Sequence, residues 1–237
     1  MKGTFRLILL AVLFLTAALP SSAGLVENWN YNSYYSSMNW KAFSLSRQGK
    51  QPINFNRINS ELVSAGIFYA TNQIRQNFNL PLFKYSRALQ KAAFVHSQDM
   101  VTRGFMGHYS PVPGRRSPSD RVRLYGQWER TVGENVADTF GIQYRANTSF
   151  QPPAQSGDPI RDMEGNVIPN HTYWSFGTSV VNQWMNSPGH RRNILNPNFL
   201  VLGAGGAHYF KGSFRMAMIK ATQVFAGKMN DEISTPR

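Results

Sequence analysis

Residues 200–209 read L-V-L-G-A-G-G-A-H-Y and residues 213–225 read S-F-R-M-A-M-I-K-A-T-Q-V-F. Both runs are apolar enough to be buried strands, and Lys211-Gly212 between them is a turn dipeptide. The end of the chain therefore reads as an antiparallel pair. The main helical signals come before it. Helices first and paired strands late predict an α+β fold with helices packed on a sheet.

Working back from that pair, Ser187-Pro188 opens a short helix, and Val180, Val181 and Trp184 share one face of the helix before it, which resumes near Ser175. Residues 141–173 break the rhythm with Pro152, Pro153, Gly157, Pro159, Gly165 and Pro169, which predicts a long loop. Thr131 to Ala137 is strand-like. A short helix is expected from Pro118 to Tyr125, just after Ser117. Ser86 is placed to cap a longer one, on which Leu89, Ala92, Ala93, His96 and Met100 recur before Gly104 stops it. The first helix starts near Asn56, carries Ile58, Leu62, Ala65 and Tyr69 on one face, and closes at Asn79-Leu80-Pro81. Residues 24–55 hold Trp29, Tyr31, Tyr34, Tyr35, Trp40 and Phe43 among polar residues with no sustained period. They read as an extended segment lying on the domain or, alternatively, as an aromatic binding patch.

Residues 1–23 read as an export leader or, alternatively, as a retained single anchor. Lys2 and Arg6 precede the apolar run Leu7 to Leu19, and Ser21-Ser22-Ala23 offers small residues for cleavage before Gly24. No later stretch reaches the length of a membrane span. The expected product is a secreted chain, extracellular or periplasmic. It divides into 24–55, a domain over 56–226 and a tail over 227–237.

Composition narrows the chemistry. At 42% hydrophobic and 13% aromatic, the chain has a globular composition and is not a disordered one. There is no cysteine, which excludes disulfides, thiolate metal sites and a cysteine nucleophile. The net charge of +13 favours acidic partners, such as anionic lipid, cell-surface glycan or an acidic extracellular protein. A nucleic-acid partner would rest on charge alone, because no binding motif accompanies it.

H-E-x-x-H, P-loop and G-x-S-x-G signatures are absent. Three polar stretches stand out: Gly107-His108-Tyr109-Ser110, Gly133-Glu134-Asn135 and Ser187-Pro188-Gly189-His190. Each sets a His or a Glu beside glycine near an element boundary. Brought together, two imidazoles and a carboxylate suit a divalent ion such as zinc, with water in the open position. Alternatively, Glu134 orients one imidazole as a general base. Separately, they are capping or turn residues. His96 lies on the apolar face of its helix and reads as a satisfied, partly buried histidine. Ser110 is poorly placed as a nucleophile, being so near His108 on one loop.

These stretches, with His96-Ser97-Gln98-Asp99-Met100, the run W-M-N-S-P-G-H-R-R-N-I-L at 184–195 and Thr222-Gln223-Val224-Phe225, resemble the CAP superfamily of cysteine-rich secretory, antigen-five and pathogenesis-related proteins. The likeness is greatest to its bacterial SCP-like extracellular branch. It implies an α-β-α sandwich with a central antiparallel sheet, and a cleft in which His and Glu side chains converge and in some members hold a divalent ion. Carried over, the cleft residues are His108, Glu134 and His190. Relatives that show Trp-x-x-Glu place Glu where this chain has Ser187, a poor zinc ligand. In the 141–173 loop, His171, Asp158, Asp162 and Glu164 are candidates for the missing group; the alternative is a solvated surface loop. The resemblance implies a binding or interaction module, with metal-assisted hydrolysis in the same cleft as the alternative.

Overall fold

The computed structural model describes residue 35 and residues 38–126, 131–145, 147–155 and 158–227. The leader, most of the aromatic segment before residue 38 and nearly all of the tail lie outside the described residues.

Seven helices and four strands follow in order among them: α1 Trp40–Leu45, α2 Arg47–Lys50, α3 Ser60–Asn77, β1 Lys84–Tyr85, α4 Arg87–Thr102, α5 Pro118–Arg123, β2 Val132–Phe140, α6 Tyr173–Met185, α7 Pro188–Leu195, β3 Val201–Lys211 and β4 Met216–Ala226. Local chemistry sets most of the boundaries. The side chain of Asn59 accepts from the amides of Glu61 and Leu62, and Ser86 accepts from Leu89. Ser117 and Asp120 form a reciprocal capping box around Pro118. Gly104, at φ 65°, ends α4 in the left-handed region.

The sheet order is β1-β3-β4-β2. β2 and β3 both run antiparallel to β4, as expected of the late hairpin. The central sheet is not wholly antiparallel, however: β1, only two residues long, joins β3 in parallel. So short a strand has no periodicity of its own and exists only because β3 offers it a margin.

Pairing register divides the sheet into two faces. Glu134, Val136 and Asp138 of β2 share a face with Val224, Thr222 and Lys220 of β4 and with Gly203, Gly205 and Ala207 of β3. α4 lies on this face. A Cβ at Gly203 would sit 2.0 Å from the amide nitrogen of Gln90, and one at Gly205 would sit 2.4 Å from that of Phe94. The absent side chains let α4 approach closely enough to bring His96 over the sheet. α3 and α6 cover the opposite face, where Phe68, Tyr69, Val180, Trp184, Ile219 and Phe225 build the larger core. A smaller core of Leu89, Ala92, Ala93, Val122, Val201 and Val224 lies under α4. The architecture is thus an α-β-α sandwich.

One expectation needs correcting. Part of the 24–55 segment is helical, because Asn39 caps α1 and Ser46 caps α2. Phe43 is buried against Tyr69, and Trp40 stacks on Trp174. Helices this short carry too few residues to show a period, and they are held by packing on α3 and α6.

β2 is an edge strand, and its margin is not bare. Asn193 donates to the Glu134 carbonyl and Trp184 Nε1 donates to the Val136 carbonyl.

Candidate functional site

The candidate site straddles the β2 margin. The loop after α4, together with α5, approaches from one side and α7 from the other. Glu134 is the hub, and its side chain is 2% exposed. Its Oε1 accepts from Nδ1 of His108 at 2.9 Å, and its Oε2 accepts from Nη2 of Arg121 at 2.6 Å. A carboxylate only accepts, so the His108 proton is on Nδ1. The His108 side chain is 45% exposed, which leaves its other nitrogen for solvent or a ligand. The hydrogen bond to Glu134 raises the pKa of His108 above its ordinary value.

Arg121 was not singled out in the sequence. It is fully buried, and besides Glu134 it donates to the carbonyls of His108, Arg115 and Arg116. It therefore ties the 108–116 loop to β2. Its neighbour Asp120 is committed to the capping box, so no local pattern marks Arg121 as an inward-facing residue.

His96, also fully buried, closes the site from α4. Its Nε2 donates to the Gly107 carbonyl at 2.8 Å and lies 3.7 Å from Glu134 Oε1, too far for a hydrogen bond. Its Nδ1, like Nε of Arg121, has no hydrogen-bond partner among the described residues. The expectation of a satisfied histidine is therefore half met. Burial lowers its pKa.

His190 enters on α7. Asn135, next to Glu134, donates to the His190 carbonyl and also to Gln223, and Asn193 donates to Asn135. The Gly-Glu-Asn stretch thus does two jobs: Glu134 holds the 107–116 loop and Asn135 holds α7. Burial, followed by the charge of His108, lowers the pKa of His190. Ser187 is the N-cap of α7 and makes no side-chain capping bond.

Other candidates fall elsewhere. Ser110 donates to Asp99, and Arg115 pairs with the same carboxylate. That Ser-Asp-Arg cluster anchors the loop and leaves Ser110 no base to activate it. The 141–173 loop folds on itself: Asp162 accepts from Asn166, and Asp158 accepts from the Gln155 amide. His171 sits at the start of α6 against Ser175 and Phe176. Among the described residues none of these, nor exposed Glu164, makes a hydrogen bond or ion pair with His108, Glu134 or His190.

A three-donor metal site at His108, Glu134 and His190 does not fit this arrangement. Both oxygens of Glu134 are already engaged, one by a guanidinium. Only two imidazoles remain, fewer than the three protein ligands of an open zinc site. Among the described residues no group of three or more His, Asp or Glu side chains is placed to hold an ion.

His171 gives a prediction about acid stability. Burial pulls it from its ordinary 6.5 to about 4. Between those values the unfolded chain takes up a proton that the folded chain refuses, so stability falls as pH falls through the window, by about 3 kcal/mol in full. His108 has the opposite sign: its contribution is present at low pH and is lost as pH rises through its raised folded value. Urea midpoints at pH 7 and pH 4.5 should therefore separate more for the parent chain than for His171→Gln. An equal separation in both would count against this reading.

Comparison with known proteins agrees with the motifs. The chain is 33% identical over 135 residues to the uncharacterized protein YkwD of Bacillus subtilis, covering 57% of this chain and 38% of that protein. It is 27% identical over 135 residues to the uncharacterized membrane protein YlbC of the same organism, covering 57% of this chain and 29% of that one. The chain thus spans well under half the length of these curated relatives. Among solved structures it is similar to an extracellular SCP-domain protein from Bacillus anthracis, with a TM-score of 0.49 at 25% identity, covering 75% of this chain and 45% of that one. The model of the cysteine-rich secretory protein family, CAP, matches residues 68–225, more than half of the chain and a span that includes His108, Glu134 and His190. The chain belongs to that family.

Proposed function

We propose that this CAP-domain chain is an exported binding module that holds a small ligand at the His108–His190 cleft without turnover. Lys2, Arg6, the apolar run to Leu19 and Ser21-Ser22-Ala23 support export. The observation that carries the binding reading is the engagement of both Glu134 oxygens. Metal-assisted hydrolysis with Glu134 as the base would need that carboxylate free to take a proton from water. Here the carboxylate is held by His108 and Arg121, and its work is to orient His108.

The test is a broad panel of peptide, ester and phosphoester substrates, with and without chelator. The expected result is no turnover above the buffer blank. Chelator-sensitive turnover that disappears in His108→Ala would replace this reading with metal-assisted hydrolysis.

A further inference from the structure

One end of the molecule sets exposed apolar side chains among positive charges. Phe78 follows α3 and is 44% exposed, Leu82 leads into β1 at 47%, and Leu200 precedes β3 at 41%. Long-range contacts gather the three. The guanidinium of Arg75 donates to the carbonyls of Pro81, Ile194 and Asn196, and the Arg75 carbonyl accepts from the amides of Phe78 and Leu80. The Lys84 amide donates to the Leu200 carbonyl at 2.9 Å. The guanidinium of Arg191, on α7, lies 5.2 Å from the centre of the Phe78 ring. The turn after α3, the approach to β1, the end of α7 and the approach to β3 therefore form one surface, tied from behind by a fully buried arginine.

The charge of this surface has one sign. Lys84 and Arg191 are exposed, and among the described residues neither pairs with a carboxylate. Residues 62–98 and 165–230, which supply the whole surface, contain no Asp or Glu. Elsewhere the cations are matched: Arg115, Arg121, Arg123 and Lys220 each have an acidic partner. Exposed apolar groups between unpaired cations complement a layer that is negative at its rim and apolar beneath it. Long Lys and Arg side chains hold their charges at the level of the headgroups while Phe and Leu pass below.

We infer that this end of the molecule, built on Phe78, Leu82 and Leu200 with Lys84 and Arg191, docks on an anionic lipid surface. The surface shares no residue with the cleft and does not rest on the small-ligand reading.

The test is co-sedimentation with vesicles of phosphatidylcholine, with and without phosphatidylglycerol, at low and high salt. The chain is used without residues 1–23, whose apolar run would itself enter the vesicle; this removes no described residue. The expected result is binding that requires phosphatidylglycerol and falls as salt rises. Lys84→Gln and Arg191→Gln should each weaken it about fivefold. Leu82→Ser and Leu200→Ser should weaken it with the charge unchanged. Lys211→Gln removes an equal charge from an exposed site at the other end of β3, roughly 30 Å from Val201, and should leave binding unchanged. Absence of binding to phosphatidylglycerol vesicles overturns the inference. So does an equal loss in Lys211→Gln, which would assign binding to the net charge as a whole. Binding that appears only when Asp231→Asn is combined with Glu232→Gln overturns it as well, in favour of the chain's own C-terminal residues as the occupant of this surface.

Discussion

Arg121→Met is expected to cost about 3–5 kcal/mol of folding stability, because it leaves Glu134 buried without its charge partner. The side chains of the pair are 0% and 2% exposed, so water cannot take the place of the lost guanidinium. The carbonyls of His108, Arg115 and Arg116 lose a donor in the same step. Arg121→Lys should recover little, since one ammonium cannot span a carboxylate and three carbonyls with the geometry of a planar fork. Arg121→Met combined with Glu134→Leu removes both charges and should regain part of the loss. Urea unfolding of the three variants measures this. A loss below about 1 kcal/mol for Arg121→Met would show that the pair is dispensable.

Arg75→Met should have a comparable effect for a different reason. Arg75 is fully buried and, among the described residues, has no carboxylate partner. It donates to the carbonyls of Pro81, Ile194 and Asn196, and its guanidinium stacks 3.9 Å from the centre of the Phe83 ring. Burial lowers its pKa to about 10, so it remains charged at neutral pH. The Ile194 carbonyl is buried and those of Pro81 and Asn196 are part-buried; left without donors at about 1–3 kcal/mol each, not fully additive, they give about 3–5 kcal/mol. Two of those carbonyls lie at the end of α7, so the His190 NMR signal should shift in Arg75→Met as well. A variant with unchanged thermal stability and an unmoved His190 signal would contradict this role.

The sequence was most legible where structure is set by near neighbours. Ser86, Ser117 and Gly104 mark helix ends through contacts only a few residues long, and the hairpin of β3 and β4 follows from two apolar runs and a turn. Glu134, His108 and His190 were found through glycine punctuation and family motifs. The residues that the sequence reading missed depend on distant partners. Arg121 looks like an ordinary surface charge until the chain folds, because its partners are carbonyls and a carboxylate outside its own helix. β1 has too few residues to announce itself. α1 and α2 owe their shape to the cores they rest on.

The margin of β2 has a consequence beyond the cleft. A terminal strand of nine residues with free carbonyls would be a template on which a second molecule could lay its own backbone, and repeated addition would grow a fibre. Here the indole of Trp184 and the amide of Asn193 already take up two of those acceptors. The helices that shape one wall of the ligand cleft thus also guard the sheet against polymerisation.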